Sequence, residues 1–136
     1  MAPGRSAEAG AGAPGAVLDI VLFRSGPAVC GIEARHVGAS RLCAAGDEAP
    51  ATIESVLGLA PVGRRAPVRL ALRAADGMRE VLADGPLELL RLEVADIVPL
   101  PPLIEAMKRS PTLKGLAVAG DRVLALFGPA DGHAGF

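Results

Sequence analysis

The chain has no tryptophan and no tyrosine, and only three phenylalanines among its 136 residues. Stacking platforms for nucleic-acid bases are therefore missing, and a formal charge of −1 supplies no positive field to attract a phosphate backbone, which excludes nucleic acid as a partner. Lysine is nearly absent. The 14 basic residues are 12 arginines and two lysines, spread among 15 acids, so no segment reads as a polybasic membrane anchor. No apolar run approaches the roughly 18 residues needed to cross a bilayer, and residues Met1 to Gly15 carry no hydrophobic stretch, so neither a signal peptide nor direct membrane insertion is expected. A cytoplasmic location follows from that reading. Cysteine is scarce as well: Cys30 and Cys43 stand thirteen apart with no CxxC pair, which fits reduced thiols rather than a disulfide framework or a zinc knuckle.

What is present is aliphatic. Of the 51% hydrophobic residues, 26 are Ala, 18 Leu, 12 Val and 5 Ile, so packing of branched side chains has to build the core. The length allows one ordinary domain, or two very small ones sharing a core. Residues 1–15, rich in Ala, Gly and Pro, read as a disordered tail. Val17 to Phe23 and Ala28 to Ile32 read as a hairpin around Ser25-Gly26-Pro27. Its first strand is apolar on both faces except at Asp19, the pattern of a strand buried on both sides. Glu33 to Arg41 has weak helical character interrupted by Gly38, and Ala44 to Pro50 has a loop composition. Thr52 is an N-cap candidate ahead of Ile53, Val56 and Leu57, with Gly58 as the stop, which predicts about two turns of helix. Val68, Leu70 and Leu72 alternate with Arg69, Ala71 and Arg73, and Asp76-Gly77 predicts a tight turn into Met78 to Ala83. Leu87 to Val94 reads as a strand. A short helix is expected from Pro101-Pro102 to Arg109, then a third hairpin from Leu113 to Phe127, with residues 130–136 as a frayed end. Strands outnumber helices at least two to one, which predicts a mainly β fold of small barrels with two short helices.

The chemistry of catalysis is hard to find. His36 and His133 are the only imidazoles, and His36 paired with Cys30 or Cys43 rests on nothing beyond spacing. No GxGxxG follows a strand and no GK[ST] occurs, so phosphate cradling has no support. Asp84, Glu88, Glu93 and Asp96 read as a solvated edge, and neither a metal nor a cofactor is predicted. What remains is surface: strand edges, and Arg24, Arg41, Arg64, Arg65, Arg73 and Arg79 as contact candidates for another protein.

Several motifs then occur in a recognisable order. The start, VLFRSGPAVCGIEARHV, resembles the opening of the CheW-like domain family. Further on, Leu82-Ala83-Asp84, Ile97-Val98-Pro99-Leu100-Pro101-Pro102, Lys114-Gly115-Leu116-Ala117 and Arg122 to Phe127 resemble that family's "VD" strand, "I.PLPP" element, "KG.A" and final hairpin. The likeness runs from about Val17 to Pro129. It implies a single CheW-like domain over residues 16–129, made of two SH3-like five-stranded barrels packed together. It also implies a non-enzymatic adaptor binding a CheA-type histidine kinase and the cytoplasmic tip of a chemoreceptor. The family's "NLRG" segment, associated with receptor contact, is missing: only ten residues separate Arg41 from Thr52. The first barrel is accordingly expected to be reduced, with unpaired edges covered by a partner or by a homodimer. Val37 and Arg41, beside the shortened segment, and Arg73 and Arg79, on the central hairpin, are the candidate protein-binding residues. A modulator that binds only one of the two partners, and a small-ligand-binding or accessory barrel, remain as alternatives, since fold does not fix function.

Overall fold

The computed structural model describes residues 15–43 and 50–136. The expected strands form one continuous sheet, and its path explains which residues are apolar on both faces. Strand β1 (Val17–Ser25) turns through Gly26-Pro27 into β2 (Ala28–Glu33), with Ser25 opposite Ala28. A 3-10 turn, Ala34–His36, leads into β3 (Val37–Leu42). A two-residue strand β4 (Ala51–Thr52) then precedes helix α1 (Ile53–Leu57). Strands β5 (Pro67–Ala74) and β6 (Gly77–Glu93) form the central hairpin, and a second 3-10 turn, Val94–Asp96, leads into β7 (Ile97–Pro99). Helix α2 (Pro102–Met107) and the hairpin β8 (Leu113–Ala119) and β9 (Arg122–Phe127) complete the chain. The order across the sheet is β3-β5-β6-β1-β2-β9-β8-β7, with β4 on the side against β6.

The fold is mainly β, and it differs from two closed barrels. The sheet does not close on itself; it forms two lobes, each with its own core. Core one gathers Phe23, Cys30, Ile32, Ile53, Leu57, Leu70, Leu72 and Val81, while core two gathers Ile20, Leu22, Leu92, Ala117, Leu124 and Leu126. Strands β1 and β9 supply both cores from opposite faces, which is why their sequences are apolar without alternation. The second core needs a glycine between them. A Cβ on Gly31 would sit 2.6 Å from Ile20 Cγ2, so the close approach of β2 excludes any side chain there.

The two lobes repeat one corner. Glu33-Ala34-Arg35-His36-Val37 and Glu93-Val94-Ala95-Asp96-Ile97 each run strand, extended Glu, one 3-10 turn, strand, and the residue after the turn donates its N–H to the carbonyl three residues back. Backbone hydrogen bonding explains the missing helix in Glu33 to Arg41. After one turn the chain is drawn into β3, whose Val37 lies opposite Leu72 and whose Arg41 lies opposite Arg69.

Local signals account for α1. Thr52 Oγ1 accepts a hydrogen bond from Ser55 N at 3.2 Å, and Gly58 ends the helix in the left-handed region at φ 79°. The Ser110 and Thr112 hydroxyls both donate to the Leu57 carbonyl, which ties the last turn of α1 to the segment before β8.

Four details depart from the sequence reading. The central turn is Ala75-Asp76, one residue earlier than Asp76-Gly77, because Ala74 pairs with Gly77. Met78 to Ala83 and Leu87 to Val94 are not separate strands but parts of the 17-residue β6, whose first part pairs with β5 and whose second part pairs with β1. Helix α2 stops at Met107, short of Arg109. The C-terminal end is tied down rather than frayed: Phe136 N donates to Arg73 O at 2.9 Å, and the Phe136 ring meets His36 edge-on with centroids 5.7 Å apart. Burial of an aromatic ring against core one outweighs the glycine content of the tail. The expected tail at 1–14 and the loop residues 44–49 lie outside the described residues.

Candidate docking surfaces

The groups that catalysis would recruit are dispersed. Cys30 lies inside core one, where burial pushes its thiol up to about 11, so it carries no thiolate at neutral pH. His36 sits at the 3-10 corner against Phe136, and burial, with Arg35 adding to it, holds its pKa below the ordinary value. Among the described residues no three His, Cys, Asp or Glu side chains come together as a metal site.

The four candidate contact residues all fall on the β3-β5-β6 part of the sheet, on two different faces. Val37 and Arg79 both lie opposite Leu72, on the side of core one. Arg41 lies opposite Arg69 and Arg73 opposite Met78, on the outer side. The outer side holds an ionic cluster: Arg69 Nη1 reaches Glu80 Oε1 at 2.5 Å and Arg41 Nε reaches Glu80 Oε2 at 3.4 Å. The hydrogen bond from Arg69, and then the charge of Arg41, hold the Glu80 carboxyl below its ordinary range. Arg73 is used differently, donating from Nε to Arg35 O at 2.9 Å. The structure therefore brings Arg41 together with Arg69 and Glu80, and leaves Arg73 and Arg79 apart from them.

The most distinctive surface was not singled out from sequence. In β8 the small residues Gly115 and Ala117 point inward while Leu116 and Val118 point out, an inversion of the usual arrangement. Gly115 is buried because a Cβ there would come within 2.9 Å of Val98 O. Register places Val98 opposite Leu116 and Val118 opposite Val123, so these four form one outward face across β7, β8 and β9. Val118 is 58% exposed and Val123 62%. Helix α2 separately exposes Leu103 at 69% and Met107 at 68%, with none of its residues buried. The signal was legible as large residues alternating with Gly and Ala in Lys114 to Ala119, a strand whose bulk faces away from its own core.

Two clefts accompany these faces. One of about 300 Å³ lies between the lobes, lined by Leu18, Ile20, His36, Ile97, Lys114 and Leu126. The other, about 930 Å³, lies beside the β1–β2 turn.

No protein-family model and no curated protein sequence matches the chain. Among solved structures it is similar to the scaffolding protein TtCheW of Thermoanaerobacter tengcongensis, with a TM-score of 0.64 over 85% of this chain and 91% of that one, at 12% identity. The chain has the CheW fold. At that identity the shared feature is the backbone, and the motifs that resembled the family take up defined places in it. Ile97 to Pro102 forms β7 and the start of α2, and Lys114 to Ala117 lies within β8. Asp84, in the "VD"-like strand, holds the segment before β5 through Oδ1, which accepts from Arg65 N at 3.0 Å and from Ala66 N at 2.6 Å. No helix of the CheW fold described here is long and apolar enough to cross a membrane.

Proposed function

We propose that the chain is a non-enzymatic adaptor of a bacterial chemosensory system. It docks a CheA-type histidine kinase, a chemoreceptor tip, or both, in the cytoplasm. The observation that carries this reading is the inverted apolar face of β7, β8 and β9. Large aliphatic groups turned outward from a strand with a packed inner face do nothing for the protein's own stability, and their natural use is burial against another chain. The CheW fold supports the same reading, since the neighbour that shares it is a scaffolding protein. Arg41, Arg73, Arg79 and Val37 remain contact candidates on the other lobe, where a partner or a second copy would cover the free edge of β3.

The test is capture of a CheA-type kinase and of receptor cytoplasmic fragments by the purified protein, with Val118→Glu as the control surface variant. Capture of at least one of the two by the parent protein, lost in the variant, supports the reading; capture of neither defeats it. Kinase without receptor marks a modulator rather than a coupler. The 300 Å³ cleft between the lobes favours a second reading, a small-ligand-binding barrel, which requires specific retention of a small molecule together with no capture of either protein.

A further inference from the structure

The larger cleft has an unusual balance of charge. It opens between Arg24, Gly26 and Pro27 at the β1–β2 turn, the segment 63–66 ahead of β5, and Asp84, Gly85 and Pro86 midway along β6. The acids at this place are already satisfied. Asp84 accepts the two backbone N–H groups of Arg65 and Ala66. Glu54, fully buried in α1, accepts from Ser25 Oγ at 2.9 Å and from Arg64 Nη2. The arginines keep unused donors. Among the described residues Arg24 and Arg65 have no side-chain partner and Nη1 of the largely buried Arg64 has no acceptor. The exposed guanidinium groups of Arg24 and Arg65 and the unpaired Nη1 of Arg64 thus line one open cleft, in which Asp84, the one acid among its described lining residues, accepts from backbone N–H groups.

We propose that this cleft docks an acidic peptide segment of a partner protein, its carboxylates pairing with Arg24 and Arg65 beside the Arg64 guanidinium. Guanidinium forks match carboxylates in a planar, two-bond geometry, and each such pair satisfies donors that the fold leaves open. A volume of about 930 Å³ far exceeds what one oxyanion fills, and Pro27 and Pro86 offer apolar contact to the backbone of an extended chain. The inference deepens the adaptor reading by naming the chemistry of one partner surface, and it is tested apart from kinase capture.

The probe is a fluorescein-labelled hexaglutamate peptide titrated with the whole protein by anisotropy at low ionic strength. Saturable binding is expected, weakened at least about tenfold in the Arg24→Glu/Arg65→Glu double variant, which gains binding to hexalysine instead. Both side chains are exposed, and an unchanged circular dichroism spectrum shows that the variant is folded. Equal affinity in the double variant overturns the proposal, as does absence of saturable binding to the parent protein. Displacement of the peptide by inorganic phosphate more strongly than by chloride at matched ionic strength overturns it too, because the cleft is then a site for a lone oxyanion. If the peptide fails while kinase capture persists, this inference falls and the adaptor reading stands.

Discussion

Helix α1 buries Ile53 and Leu57 in core one and Glu54 against Ser25 and Arg64, whereas α2 buries nothing and turns Leu103, Ile104 and Met107 outward. The two helices occupy matching positions, each after a strand–Glu–3-10–strand corner and before a hairpin, so their different fates come from their sequences and contacts. Helix α1 is capped by Thr52, stopped by Gly58 and fastened by the hydroxyls of Ser110 and Thr112. Helix α2 starts on Pro101-Pro102 with no side-chain cap, and at its end Lys108 pairs with the exposed Glu105 at 2.7 Å and donates to Leu113 O at 2.9 Å. A six-residue helix has too few hydrogen bonds to repay its own nucleation, so α2 depends on whatever covers it. The comparison teaches that of two short helices in matching places one is built into a core and the other presents apolar surface.

The largest effect that sharpens this contrast is Leu57→Ala, expected to cost about 2–5 kcal/mol by urea unfolding because it hollows core one. Leu103→Ala in α2 should change stability by less than about 0.5 kcal/mol. Equal losses at the two positions would end the contrast between the helices. Next, Val118→Glu should leave the unfolding midpoint in place while weakening partner capture at least about tenfold, roughly 1.4 kcal/mol. A variant that unfolds instead would show that the outward face belongs to the protein's own packing. Thr52→Ala follows, at about 1 kcal/mol, since it removes the acceptor for Ser55 N. The smallest effect is electrostatic. Because Arg69 and Arg41 depress the Glu80 carboxyl below its ordinary 4.5, its contribution is present above that value and is lost as pH falls through the lower folded one. Glu80→Gln should therefore flatten the fall in lobe-one stability on acidification, read from urea midpoints above and below the carboxylate range, and leave the Val118 face untouched.

Much of the fold could be read along the chain. Thr52 and Gly58 bracket α1 because caps act within a few residues, and alternation in Val68 to Arg73 reveals β5 because side chains in a strand point to opposite faces. The surfaces were less legible. Val37, Arg41, Arg73 and Arg79 do share one stretch of sheet, yet their separation onto two faces depends on the irregular β3–β5 register between Val37 and Ser40. The Arg24, Arg64 and Arg65 cleft joins a turn to a segment about 40 residues away, a proximity that no local pattern encodes.

By itself the sequence determined the mainly β character, the caps of α1, the hairpin positions and the poverty of catalytic groups, all consequences of short-range sterics and side-chain chemistry. Tertiary structure alone decided that β6 runs unbroken between two lobes, that β1 and β9 serve two cores, that Phe136 returns to Arg73, and that the bulk of β8 faces outward. Each of these depends on pairings between residues distant in the chain, where the burial of one segment is set by the shape of another.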